Sequence, residues 1–187
     1  MTKDQLYNEL DYVNHSREKR LHYAHLVIDN PKLITPLLEI LFKVDDKISC
    51  RAAWVLEFMC GEQLELIIPY LDTFTNNLTK VHLDSAVRPV AKICEYLTKA
   101  YYSKTENKIK SMLQDIHKEK ITEACFDWML NDEKIAPKAY AMNSLFLLGK
   151  EKAWIHPELI MILERDYKMQ SSGYKARARH IIQKIEL

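Results

Sequence analysis

Leu33-Ile34-Thr35-Pro36-Leu37-Leu38 decides the fold, because the pattern within it, Ile-x-Pro-x-Leu, returns twice further along the chain. The other copies are Leu66-Ile67-Ile68-Pro69-Tyr70-Leu71 and Trp154-Ile155-His156-Pro157-Glu158-Leu159. Pro69 follows Pro36 by 33 residues, and Pro157 follows Pro69 by 88. The longer gap divides into 54 and 34 if Ile121-Thr122-Glu123-Ala124-Cys125 is a degraded copy with Glu123 in the proline slot. A fixed period in the thirties marks a helical solenoid, whose units bury their apolar faces only against their neighbours.

Working outward, each copy opens a first helix, A, that is followed by a second helix, B, with a basic residue near its start. The apolar spacing places the A helices near 32–43, 63–79, 119–130 and 156–168. The B helices fall near 47–60, 84–102, 135–148 and 173–186. Pro36 to Arg51 and Glu123 to Lys138 each span 15 residues, whereas Pro69 to Arg88 spans 19 and Pro157 to Arg177 spans 20. Two units therefore carry longer inter-helix loops. Residues 101–120 form an insertion between the second and third units, with a solvated loop at Ser103–Lys108 and a short helix to about His117. Residues 1–30 supply an N-terminal helical cap, with a helix near 2–12 and Ser16 as the N-cap of another running to about Ile28. Gly149, after Leu145-Phe146-Leu147-Leu148, takes the place of a C-cap glycine. No stretch sustains the period-two alternation of a strand.

Asp84-Ser85-Ala86-Val87-Arg88-Pro89-Val90-Ala91 resembles the second half of a HEAT-type repeat, in which an Asp, then Val-Arg, then small residues open helix B. Asp45 to Arg51 and Asp132 to Lys138 keep the spacing of six residues from acid to base, while His82 stands in the Asp slot of the second unit. The resemblance covers roughly residues 31–187. It implies an all-α fold: a right-handed α-α superhelix, a HEAT-like solenoid of about four helix pairs plus the N-terminal helices, in one domain spanning 1–187. HEAT-type arrays serve unrelated roles, so the resemblance fixes architecture rather than activity.

Composition narrows the function classes. Lys and Arg number 27 against 26 Asp and Glu, a net charge of +1, so no global field draws nucleic acid or an anionic membrane. The three glycines, Gly61, Gly149 and Gly173, stand singly and cannot build a phosphate-cradling loop. Cys50, Cys60, Cys94 and Cys125 lie in apolar helical patterns without a CxxC pair, as buried reduced thiols do. The polar N-terminus and the short, interrupted apolar segments lead us to expect a cytoplasmic chain with no membrane span.

Several clusters invite chemistry. His15, Glu18, His22 and His25 fall within an arc of about 80° on one helix face, a spacing at which imidazoles and a carboxylate can converge on a zinc-type ion. They also border the core stripe of Leu21, Ala24 and Ile28, and no HExxH or cysteine pattern accompanies them, so no metal or cofactor is expected. Arg88, Lys92, Glu95 and Lys99 line one face of the second B helix, with Tyr96 and Tyr102 beside them; such a face is ordinarily solvated but can also receive phosphates or bases. Trp54 and Glu57 point away from the apolar face of the first B helix, and Trp54 is placed to pack on the next repeat. Lys175-Ala176-Arg177-Ala178-Arg179-His180 is the densest basic run. Asp45-Asp46 and Asp132-Glu133 sit at inter-helix turns, where carboxylates favour helix N-termini. No nucleophile elbow or linked Ser, His and acid is present.

The resulting expectation is a non-enzymatic protein-interaction or scaffold module. Its binding surface is drawn from Trp54, Glu57, Arg88, Lys92, Tyr96, Asn143 and Arg179, and its partner is an unidentified protein. A nucleic-acid-binding module, like the helical-repeat DNA glycosylases with their basic faces, is the competing class, and the near-neutral charge argues against it. The whole chain also resembles short bacterial chains that carry the label adenylosuccinate lyase, which implies release of fumarate. The lyase superfamily uses a Gly/Ser-rich loop leading into Met-Pro-x-Lys-x-Asn-Pro to supply the serine for elimination. Here no Met-Pro occurs and no glycine has a glycine neighbour.

Overall fold

The structure, a computed structural model, describes residues 1–186, and every regular element among them is helical. The α-helices are α1 (Lys3–Leu10), α2 (Arg17–Asp29), α3 (Ile34–Leu41), α4 (Lys47–Glu62), α5 (Leu71–Thr75), α6 (Asp84–Tyr101), α7 (Lys108–Met112), α8 (Asp115–Leu130), α9 (Ile135–Leu148), α10 (Ile155–Tyr167) and α11 (Ser172–Glu186). Short 3-10 turns occupy Pro31–Leu33, Leu64–Tyr70 and Leu78–Lys80.

Two layers result, an α-α superhelical solenoid. α2, α4, α6, α9 and α11 pack one on the next as a B layer. α1, α3, the 64–75 segment, α8 and α10 form the A layer across the core from it. α1 and α2 thus extend the array as a further pair, with α2 on α4 and α1 on α3. Close approach in the B layer follows from small side chains: Ala52 and Ala53 on α4, Ala91 on α6, and Ala141 and Ser144 on α9 are all buried. α4 is enclosed on several sides, and even its polar residues Ser49 and Glu57 are covered. Between the layers Leu37, Leu41, Leu56, Met59, Phe74, Ile93, Leu145 and Leu163 are removed from solvent. Burial of that kind provides about 1.5–3 kcal/mol for each large side chain.

Helix starts follow local chemistry. Ser16 Oγ accepts from the Lys19 amide at 3.2 Å, the capping expected for α2. Asp46 caps α4 by accepting from the Ile48 amide at 2.9 Å, and its other oxygen accepts from the Tyr7 hydroxyl at 2.8 Å. The capping bond first, with the tyrosine adding to it against burial, holds the Asp46 carboxyl below the usual aspartate value. The insertion is a docked segment: Asn107 caps α7 and ties its loop back to the Ala100 carbonyl at 2.9 Å, and Ile109 and Leu113 are buried.

The prolines behave according to depth. Pro36 and Pro157 are each third in their helices, inside the first turn, where a missing amide costs little. Pro69 comes six residues into a segment beginning at Leu64, where a helix would need its amide. The expected single helix over 63–79 is therefore a 3-10 run, a five-residue α5 and a further 3-10 turn. Glu123 has no proline constraint, and α8 begins at Asp115, well before that slot. Gly149 ends α9 with an ordinary right-handed φ of −64° rather than the left-handed turn that favours glycine. Its smallness is needed for a different reason: a Cβ there would come within 2.0 Å of the His156 ring. That ring stacks on Phe146 and bonds the Phe146 carbonyl through Nε2 at 2.9 Å.

Candidate functional site

Pro89 opens the site. It is the sixth residue of α6, so the Ser85 carbonyl has lost the amide that would ordinarily bond it. The Trp54 indole N–H, from the preceding unit, donates to that carbonyl at 2.8 Å. Trp54 is thereby fixed with its ring edge between α4 and α6, only 8% exposed. Above its face lies the Arg20 guanidinium of α2, 4.5 Å from the ring centre, and the His15 ring lies 4.9 Å away.

From Trp54 the contacts run along the exposed side of the B layer. Glu57, one turn on, is 7% exposed and receives two hydrogen bonds from Arg88 of α6, at 3.2 and 2.7 Å. Glu95 of α6 is 2% exposed and accepts from Lys92 at 2.6 Å, from Lys99 at 2.9 Å, and from the Asn143 amide of α9. Burial opposes the charge on Glu95, but these donors outweigh it and hold its carboxyl below the usual glutamate value. The Lys92 ammonium lies 4.4 Å from the Tyr140 ring centre and 5.1 Å from that of Tyr96. Burial pulls Lys92 down, yet its bond to Glu95 leaves it raised.

Trp54, Glu57, Arg88, Lys92, Tyr96 and Asn143 therefore stand on one strip across α4, α6 and α9. Arg179 is exposed on α11 and, among the described residues, makes no hydrogen bond or ion pair with that strip. The Arg88–Lys99 stripe is more interlocked than a solvated face, since the carboxylates that anchor it are buried. Arg20 and Tyr140 belong to the strip and were not among the residues singled out from sequence. The sequence signal for Arg20 is slight: it is one of three bases in the run Arg17-Glu18-Lys19-Arg20 that opens α2.

Beside the strip is an open cleft of about 180 Å³, lined by His15, Arg20, Trp54, Asp84, Ser85, Arg88 and Lys134. Asp84 pairs with Lys134 at 2.9 Å, and Glu57 pairs with Arg88. Arg20 has no carboxylate partner among the described residues; its Nε donates to the Asn14 carbonyl at 3.3 Å. Burial first, and then Arg88, depress its pKa below the usual arginine value, with Glu57 offsetting part of the shift.

Elsewhere the charged groups serve the fold. Arg51 reaches back to the Asp11 carboxylate and carbonyl at the end of α1, Asp45 meets His82 at 3.2 Å, and Lys138 donates to the Met129 carbonyl at 3.2 Å. The acids and bases of the repeating series thus tie loops and neighbouring units rather than each other. Glu18, His22 and His25 are exposed along α2, and no group of three or more potential metal ligands gathers among the described residues. Lys118 is buried, and its bonds to Glu151, Tyr101 and Asp115 overcome that burial to raise its pKa, the opposite of what an amine nucleophile needs. All four cysteines are free; burial pushes the thiols up, Cys125 to about 12, which suppresses thiolate chemistry. No helix among the described residues is long and apolar enough to cross a membrane.

Paired helices, stacked B on B and fastened by residues near the starts of α4, α6 and α9, define an α-solenoid repeat protein. The family description "HEAT repeat domain" matches residues 7–185. The chain belongs to the HEAT repeat family. Comparison with curated proteins and with solved structures gives no match.

Proposed function

We propose that this chain is a non-enzymatic binding module whose B-layer strip holds an acidic segment of a protein partner. The observation that carries the proposal is Arg20. This guanidinium is half-buried on Trp54, next to a second arginine, with no carboxylate in direct ion-pair contact among the described residues and the nearby Glu57 engaged by Arg88. A carboxylate entering the cleft relieves that positive field and gains a planar, bidentate partner already held in place by stacking. The strip beyond it offers Arg88, Lys92 and Lys99 at the surface, with the faces of Tyr96 and Tyr140 between them. A rigid row of this sort suits an extended segment better than a small molecule. The HEAT fold supports a scaffold role in general terms, and the near-neutral net charge weighs against extended phosphate backbones.

The test is fluorescence anisotropy with a labelled Glu-rich peptide and a single-stranded oligonucleotide as competitor. The peptide should bind at low salt, Arg20→Glu should weaken it by about tenfold or more, and the oligonucleotide should compete poorly. Equal binding by wild type and Arg20→Glu, or efficient competition by the oligonucleotide, overturns the acidic-segment reading. Purified protein incubated with adenylosuccinate should release no fumarate by ultraviolet absorbance; sustained release would replace the binding reading with a lyase.

A further inference from the structure

The A layer carries a second surface, and we infer that it joins two copies of this chain about a two-fold axis at the middle of α10. α10 turns Ile155, Leu159, Ile162 and Leu163 into the core. The stripe Glu158, Met161 and Arg165 faces outward at spacings of three and four residues, one above the other on the helix. Across a groove from it, α8 presents Phe126 and Leu130, and Trp154 closes one end by stacking on Phe126 at 5.7 Å. Trp154 is 55% exposed, Met161 57% and Leu130 53%. Three of the nine exposed large hydrophobic residues thus gather in this one groove, against the usual scatter of single exposed side chains.

The charges at its rim identify the occupant. Glu158 and Arg165 are both exposed, lie seven residues apart, and have Met161 and Ile162 at their midpoint. A two-fold axis through that midpoint runs the two α10 helices antiparallel. Glu158 of each copy then faces Arg165 of the other, roughly 10 Å apart along the helix from its own Arg165. Met161 meets its own counterpart, and each Leu130 lies against the opposite groove. An isologous contact requires such self-complementarity, an acid and a base equidistant from an apolar centre. Arg165 already holds Asp166 through Nε at 2.6 Å and Nη2 at 3.1 Å, which leaves Nη1 open for Glu158 of the second copy. Glu158 makes no ion pair among the described residues. The surface lies on the layer away from the Arg20 cleft, so dimerisation and acidic-segment binding stand or fall separately.

Sedimentation velocity over a wide concentration range tests the inference on the full chain. Wild type should show a reversible monomer–dimer equilibrium. Met161→Glu should weaken it by about a hundredfold, by placing like charges at the axis. Glu158→Arg and Arg165→Glu should each weaken it by about tenfold. The double variant Glu158→Arg/Arg165→Glu, which restores opposite charges across the axis, should recover most of the affinity. Circular dichroism melts should show every variant folded, because all three positions are exposed. A wild type that stays monomeric to millimolar concentration overturns the inference and leaves the groove for another occupant. A dimer that survives Met161→Glu, or a double variant no better than the single ones, equally overturns the two-fold arrangement.

Discussion

Trp54 and Trp154 face opposite surfaces of the same array. Trp54 is closed between two B helices, bonded through its N–H and covered by an arginine. Trp154 stands just before α10 with more than half its surface open, stacked on one phenylalanine. The difference comes from what the layers are asked to do. B helices approach closely through alanines, so large or polar residues at their margins are locked into neighbours. Between α8 and α10 a groove remains, and apolar side chains there line a surface. One tryptophan holds the stack together, and the other stands open to solvent.

The sharpest way to break this contrast is to truncate both. Trp54→Ala should cost about 3–5 kcal/mol in urea unfolding, whereas Trp154→Ala should stay within about 1 kcal/mol. Equal losses would mean that the A-layer groove is as structural as the B strip. Next in size is Glu95→Ala, which leaves Lys92, Lys99 and Asn143 without their shared acceptor and should cost about 3 kcal/mol. The pH dependence carries a sign. The folded Glu95 carboxyl titrates lower than in the unfolded chain, so its stabilisation is present above the ordinary glutamate value. It is lost as the pH falls through the lowered folded value. Glu95→Gln should flatten that acid limb of the stability profile, and an unchanged limb would place the titrating group elsewhere.

Gly149→Ala should cost about 1–3 kcal/mol through overpacking against His156, and His156→Ala should remove most of that penalty. A full penalty in the His156→Ala background would point instead to the backbone at the end of α9. The smallest effect sharpens the comparison most. Trp54→Phe should cost about 1–2 kcal/mol by orphaning the Ser85 carbonyl, and less in a Pro89→Ala background, where the alanine amide can bond it. A double-mutant cycle with no coupling would show that the carbonyl is satisfied another way.

Much of the array was legible in advance because Ile-x-Pro-x-Leu marks a unit and its period needs no tertiary information. Pro69 shows the limit. The motif is the same at Pro36, but the chain leaves α4 only at Glu62 and enters the next segment at Leu64, and this sets how deep the proline falls. The insertion's extent was readable from a broken period, but its pinning by Asn107 depended on contacts across seven residues. For the candidate strip, residue types on one helix face could be read, but burial could not. Whether Glu57 and Glu95 meet water depends on how near the next B helix comes, and that is set by Ala91 and Ala141 on other helices. Arg20 is silent in the sequence for the same reason, since the ring it covers, Trp54, lies in another unit.

The bond between the Trp54 indole and the Ser85 carbonyl also controls slippage. Helices with alanine-lined faces can slide past one another at small cost in apolar area. Here a displacement of α4 along α6 by one turn would strand the buried donor of Trp54, worth about 1–3 kcal/mol, and break its bond to the Ser85 carbonyl. Pro89 cannot repair either loss, having no amide to offer. The proline thus makes one phase of the stack far better than its neighbours, and the vertical alignment of the whole array is keyed at a position where a helix is one hydrogen bond short.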